Sequence, residues 1–439
     1  MSQSSVPPGA GADRASALSS KAPGIALFML TIVYAFNFID RQILVILQEM
    51  IKQDMGLSDA QLGLLSGFSF ALVYVTAGIP IAYLADRWNR KNIIAISLGV
   101  WSAMTAVSGL AQTYTHLLLA RIGVGLGEAG GSPPAHSLIS DYYPPERRAT
   151  VMSIYSSGLY LGILLGYVIG GMVADAVGWR ITFLLLGVPG VLFALVFAVV
   201  VKEPVRGRWE TAQVNAYQPT LGDTVRVLAS YRSFIFLALG TALLNFGGYG
   251  TGNFSASLYL RVHGLSLTEV GLLLALAGGL SGMIGTFLGG YIGDRLAVRD
   301  IRWYLWVPMW GALLSTPPAL LYYLTDNTTL AIVGQFVTTV LYSTFLGPCL
   351  ALSHTLVHPA MRAFTSAVLF FTLNLIGLGL GPLATGLISD ALAAQYGINS
   401  LRYAMVIVSL IGSCSALLFY LASRYVKDDL ASGARDNIR

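Results

Sequence analysis

The 439-residue chain reads as an all-α membrane protein, twelve transmembrane helices in two pseudo-symmetric six-helix bundles. Three observations predict this. The chain is 55% hydrophobic and 11% charged, against about 25% charged residues in soluble proteins, so lipid must cover much of its surface. It has room for about twelve apolar runs of the roughly 20 residues that a crossing needs. Landmarks in its first half recur in its second. The net charge of +5 is no polynucleotide-binding signal, because the cations cluster in alternate loops and no basic domain exists to hold nucleic acid.

In chain order, residues 1–22 are rich in Ser, Ala, Pro and Gly and read as a disordered tail. The first apolar run is too long for a signal-peptide core and reads as an uncleaved span. The N-terminal bundle covers 23–201, with spans at 24–48, 59–84, 92–111, 115–140, 149–175 and 181–201. The longest polar break, 202–229, is a linker. The C-terminal bundle covers 230–426, with spans at 230–260, 267–293, 302–324, 328–355, 362–391 and 400–425, and 427–439 is a second tail. All are expected to be helices, because open sheet edges do not survive in lipid.

Orientation follows from Lys and Arg. Of 26 such residues, twenty fall in the tails, the linker and the loops on one side, and only Lys52, Arg180, Arg261 and Arg402 in loops on the other. This bias places both termini in the cytoplasm. The repeat is visible in Asp86-Arg87 and Asp294-Arg295, which follow the second and eighth spans. Gly162, Gly166 and Gly170 in the fifth span answer Gly377, Gly381 and Gly386 in the eleventh. Parallel repeats of this kind build transporters that rock two bundles about a central site.

With these landmarks the chain resembles the major facilitator superfamily over essentially its whole length. Ala82 to Lys91, AYLADRWNRK, is similar to the superfamily's G-x-L-A-D-R-x-G-R-K loop, with Ala82 and Asn89 in place of glycines. The second copy, GGYIGDR at 289–295, is partial. A narrower resemblance is to the spinster family of lipid transporters. It rests on NFIDRQIL at 37–44, LSDAQLGLL at 57–65, LADRWNRK at 84–91 and RIGVGLGEAG at 121–130. Animal members of that family move sphingosine 1-phosphate or lysophospholipids. The resemblance implies gating by Asp86, Arg87, Arg90 and Lys91, with Asp294 and Arg295 as the second copy, a cluster that latches the halves when the transporter faces outward. GILLGYVIGG resembles the superfamily's antiporter motif, but Tyr167 stands where a proline is expected.

Four ionisable residues lie deep within spans: Asp40 and Arg41 in the first, Arg121 and Glu128 in the fourth. A charge at that depth costs about 2.5–3.5 kcal/mol on insertion scales and marks function by default. A rise of about 1.5 Å per residue puts Asp40 about 10–16 Å, Arg121 about 9 Å and Glu128 about 20 Å below one surface. The two pairs therefore overlap in depth. Arg121 and Glu128, seven apart, share a helix face. Asp40 and Glu128 are the expected proton carriers. Arg41 and Arg121 are the expected anion holders, since a guanidinium offers phosphate a planar two-pronged donor set. A buried carboxyl favours its neutral form and an adjacent guanidinium its charged form, so a substrate that recruits the arginine would drive protonation. Static ion pairs that fix helix packing are the competing expectation.

Further candidate substrate contacts are Tyr34, Asn37, Tyr160, Asn245, Tyr249, Asn253 and Asn374; ordinary intramembrane hydrogen bonding is the plainer role for each. The seventh span, LNFGGYGTGNF at 244–254, carries four glycines and is expected to be a broken helix lining the site. The C-terminal half has no charge matching Asp40 or Glu128, so its side of the cavity is expected to be mainly apolar. Cys349 and Cys414 read as small core residues without disulfide or metal spacing. No P-loop, dinucleotide fingerprint or nucleophile elbow occurs, so neither cofactor, metal nor enzymatic chemistry is expected. The sequence thus reads as a monomeric secondary transporter of a bacterial inner membrane. It moves an amphipathic or small water-soluble anion with protons, within membrane lipid. A non-transporting receptor of the same fold is the reading from a different class.

Overall fold

The computed structural model describes residues 22–207, 209 and 220–436. The tail expected over 1–22 lies outside them apart from Ala22. So do 208 and 210–219 of the expected linker, 437–439, and the side chain of Asp86. The described chain is helical, with no strand among these residues.

Twelve crossings follow one another. The first is one helix, Ala22–Met55. The second starts at Asp59, passes a π-helical turn at Leu64–Phe68 and ends at Arg87. The third is Arg90–Ser108. The fourth jogs between Tyr114–Glu128 and Ser132–Tyr142, where Pro133 and Pro134 open the new helix, positions at which a missing N–H costs nothing. Pro145–Val200 holds the fifth and sixth, which reverse at Gly178, whose φ of 80° favours glycine. A short helix, Leu221–Ser230, precedes the seventh crossing.

The second half repeats the plan. The seventh crossing joins Arg232–Asn253 to Ser255–Val262. The eighth runs from Leu267 to Ala297 through a π-helical turn at Ala275–Leu280. Trp303–Leu324 is the ninth, and Thr328 to Thr355 the tenth. The eleventh has a π-helical stretch at Leu373–Leu380 before Gly381–Tyr396. The twelfth joins Ser400–Ser413 to Ser415–Asp436.

The glycines of the seventh crossing do not break it. Arg232–Asn253 is continuous, and the interruption falls later, at Phe254. The glycines are packing surfaces instead: Gly247 lies on Gly412, and Gly250 on the carbonyl of Gly381. Small residues let helix backbones approach in a membrane, which compensates for glycine's weak helix preference. The same device repeats between halves of the sequence. Gly162 and Gly166 seat the fifth crossing on the first, at Ala35 and Ile39. Gly377 and Gly381 seat the eleventh on the seventh, at Asn245 and Phe246.

Three buried cores result. One lies in the N-terminal half around Trp101, Phe70 and Phe197. One lies in the C-terminal half around Phe419, Leu305 and Phe234. The third is shared: Ile43, Leu47, Leu65 and Tyr167 pack with Phe254, Tyr259, Val270 and Leu401. It lies at the end of the molecule away from residues 22 and 436, where the halves are joined.

Candidate functional site

The first and fourth crossings bring the four intramembrane charges together. Arg41 Nε donates to Glu128 Oε2 at 2.8 Å. The Arg41 guanidinium also lies over the rings of Phe38, Phe70 and Tyr74 at 5.0–5.2 Å from their centroids, a favourable cation–π enclosure. Asp40 and Arg121 face the same centre without a direct bond. Asp40 is 1% exposed and Arg121 2%. Trp101 and Thr105 face the Asp40 carboxyl, and Asn37 lies beside Glu128.

The cluster is under-satisfied. Asp40 Oδ2, Glu128 Oε1 and two Arg121 nitrogens, Nε and Nη1, are buried with no hydrogen-bond partner among the described residues, as are Trp101 Nε1 and Thr105 Oγ1. Buried polar groups are normally bonded, and charged ones left unpaired are costly.

A cavity of about 200 Å³ opens on the cluster, lined by Arg41, Arg121, Phe38, Phe70, Tyr249 and Asn253 among others. It thus gathers four of the expected substrate contacts. The other five do not line it. Tyr34 stacks on Tyr155, and Tyr160 donates to Thr286 of the other half at 3.2 Å. Asn245 accepts from Tyr342 at 2.9 Å, and Asn374 donates to Phe370 in its own helix. Asn37 is buried near Glu128, behind the lining.

A second cavity, of about 160 Å³, lies in the C-terminal half and shares Tyr167 and Gly252 with the first. Its surface is mainly apolar and carries no charge, with neutral polar groups set into it. Thr251, Ser255, Ser315, Gln335, Thr338, Tyr322 and Tyr342 contribute neutral polar groups. Hydroxyls that bond back to their own helix travel at low cost in apolar segments.

Among the described side chains, the expected gating residues Arg87, Arg90, Lys91, Asp294 and Arg295 make their named contacts within their own halves. Arg90 is buried and donates to Asp141, Glu203 and Ser137 at 2.5, 2.7 and 2.8 Å. Lys91 Nζ donates to the Ala198 carbonyl, and Arg87 stacks on Tyr83. Asp294 accepts from Tyr304, and Arg295 donates to Tyr291.

The named bonds between halves lie instead from mid-membrane to the joined end, and the sequence reading missed them. Asp59 is their hub. It accepts from Arg261 through both carboxylate oxygens at 2.7–2.8 Å, from Lys52 at 2.5 Å and from Ser389 at 2.7 Å. Arg261 also holds Glu49 at 2.7 Å. Asp390 accepts from the amides of Asp59 and Ala60, capping the exposed N-terminus of the second crossing. A second junction is its pseudo-symmetric counterpart. Thr268, at the start of the eighth crossing, donates to Asp175 of the fifth at 2.8 Å. A signal existed: LSDAQLG at 57–63 and LSLTEVG at 265–271 share a Ser-x-x-Gln/Glu capping box and a glycine two residues later. Gly63 meets the Pro382 carbonyl and Gly271 the Tyr167 carbonyl, both across the halves.

Comparison with known proteins gives consistent results. The family model described as Major Facilitator Superfamily matches residues 30–382. The chain is 33% identical to a bacterial homolog of the human lysosomal transporter Spinster, solved in an inward-facing and unoccupied conformation. That match has a TM-score of 0.86 and covers 94% of this chain and 99% of the other. An MFS-type efflux pump of Mycolicibacterium smegmatis is 32% identical over 93% of this chain and 95% of its own length. A probable L-galactonate transporter of Escherichia coli is 25% identical over 92% of this chain and 90% of its own.

Proposed function

The chain belongs to the major facilitator superfamily, and from that premise we propose that it is a proton-linked carrier of an amphipathic organic anion. It is a multi-pass membrane transporter of a small molecule, related to spinster proteins and to acid-sugar transporters, and not an enzyme. The observation that carries the proposal is the under-satisfied cluster at the first cavity. Arg121 has two free nitrogens beside carboxylates with free oxygens, so an anion and a proton each find a partner there. Arg41 is the second anion holder, released when Glu128 takes a proton. The aromatic and aliphatic wall of Phe38, Phe70, Leu44, Val45 and Leu378 suits the apolar part of such a substrate.

The cation bias places the joined end outside and both termini in the cytoplasm, so this conformation opens inward. Asp86, Arg87, Arg90, Lys91, Asp294 and Arg295 then form the latch of the opposite state. Proteoliposome uptake of labelled sphingosine 1-phosphate and lysophospholipid, with and without a pH gradient, tests the reading. Gradient-stimulated uptake of either is expected; uptake of neither, beside robust uptake of short organic acids, would refute the amphipathic substrate. A small polyhydroxylated acid is the second reading, favoured by the neutral polar groups set into the second cavity.

A further inference from the structure

We propose that the first stretch of the linker, Lys202 to Gly207, is a working part of the transporter, in which Arg206 and Glu203 are positioning residues that hold the latch loop in shape. The inference rests on the latch just proposed for Asp86 to Lys91 and adds what fixes its geometry. The loop joins the second crossing, which ends at Arg87, to the third, which starts at Arg90. Each helix end leaves backbone groups without a helical partner, carbonyls on the second crossing and amides on the third. The linker meets each end with the charge that end favours. Arg206 Nη2 donates to the Ala85 carbonyl at 2.8 Å and to the Trp88 carbonyl. Glu203 accepts from the Lys91 amide at 2.9 Å and from Arg90 Nε at 2.7 Å. A cation thus sits at the negative end of one helix dipole and an anion at the positive end of the next.

The loop supplies part of this capping itself, since Asn89 accepts from the Asn92 amide. The carbonyls of Ala85 and Trp88 find their side-chain partner in the linker. That partner is in turn anchored to the end of the fourth crossing. Tyr142 donates to the Lys202 carbonyl. The Gly207 amide donates to Asp141 Oδ1 at 3.1 Å, and Trp209 Nε1 to the Asp141 carbonyl at 2.9 Å. The chain turns at Gly207, whose φ of 64° favours glycine. Arg206 and Glu203 therefore reach the loop from a fixed base.

All of these contacts lie in the N-terminal half and the linker, so they are open to both states of the cycle. Their worth differs between the states. The loop has to keep one shape where the latch docks on the other half. In this inward-opening state its named contacts stay within its own half. Loss of Arg206 therefore costs the latched state more. Arg206 is exposed, and its replacement leaves the packed cores intact.

Two measurements on the full chain in nanodiscs test this. Hydrogen exchange over residues 84–91 reads the loop, and spin-label distances across the cytoplasmic ends, in a background without Cys349 and Cys414, read the populations. Arg206→Gln is expected to speed exchange in the loop by about threefold, the worth of a charge at a helix end. It should lower the ratio of inward-closed to inward-open molecules by a similar factor. Lys202→Gln removes the same charge from an exposed side chain whose backbone carbonyl makes the bond, and should change neither. Unchanged exchange in Arg206→Gln, or the same acceleration in Lys202→Gln, overturns the positioning role. Asp86→Asn separates the two levels. A population that ignores Asp86→Asn removes the latch, while faster exchange in Arg206→Gln still upholds the linker as the loop's support. A population that responds to Asp86→Asn but not to Arg206→Gln overturns the link between linker and latch.

Discussion

At the scale of single residues, what distinguishes Asp40, Arg41, Arg121 and Glu128 is the inequality of their partners. Arg41 and Glu128 form one good ion pair within an aromatic enclosure. Asp40 and Arg121 are as deeply buried but leave atoms unbonded. The Arg41–Glu128 bond is then the natural competitor of a bound anion. Glu128→Gln removes one charge of that pair and leaves Arg41 to the ligand. Anion affinity should rise several-fold, and its dependence on pH should flatten; equilibrium binding at several pH values checks both. Arg121→Gln should weaken anion binding by about 10- to 100-fold, the worth of one or two hydrogen bonds to a charged group. Retained affinity in that variant would assign Arg121 to packing.

At the scale of elements, the helices that meet across the halves carry the irregularities. π-helical turns lie in the second, eighth and eleventh crossings, at Leu64–Phe68, Ala275–Leu280 and Leu373–Leu380. Gly67 of the first packs on the carbonyls of Leu378 and Gly379 in the last. Such turns recur at functional sites. Beyond them the halves close on glycine: a Cβ at Gly386 would strike the Asp59 carbonyl. Gly386→Val should therefore hold the joined end apart. Spin-label distances across it, in a background without Cys349 and Cys414, should lengthen by several ångströms; an unchanged distance distribution would show that the contact does not govern closure. Much of this plan was legible in the chain. Apolar run lengths located the crossings, because lipid demands them, and the buried charges marked the cluster proposed as the site, because lipid penalises them. The continuity of the seventh crossing was not legible, since its glycines are supported by partners distant in sequence, Gly412 and Gly381.

At the scale of the whole molecule, two pseudo-symmetric junctions and one asymmetric ion network hold one end shut. Asp59 and Arg261 are both largely buried, with side chains 3% and 13% exposed. Removing one member of a buried pair costs about 3–5 kcal/mol, against about 5.5 kcal/mol needed to move a two-state population from 1:99 to 99:1. Arg261→Gln leaves Glu49 and part of Asp59 unpaired, and only in this conformation. It should move most of the population toward the state open at the joined end, read by the same spin-label distances; a population that stays put would make the network incidental. The role proposed for the buried cluster is to join proton movement to transport. Its most direct test is substrate uptake into proteoliposomes under an imposed pH gradient, comparing the wild-type chain with Asp40→Asn at matched insertion. Uptake should be stimulated by the gradient in the wild-type chain and indifferent to it in Asp40→Asn. Full stimulation retained in Asp40→Asn would contradict it.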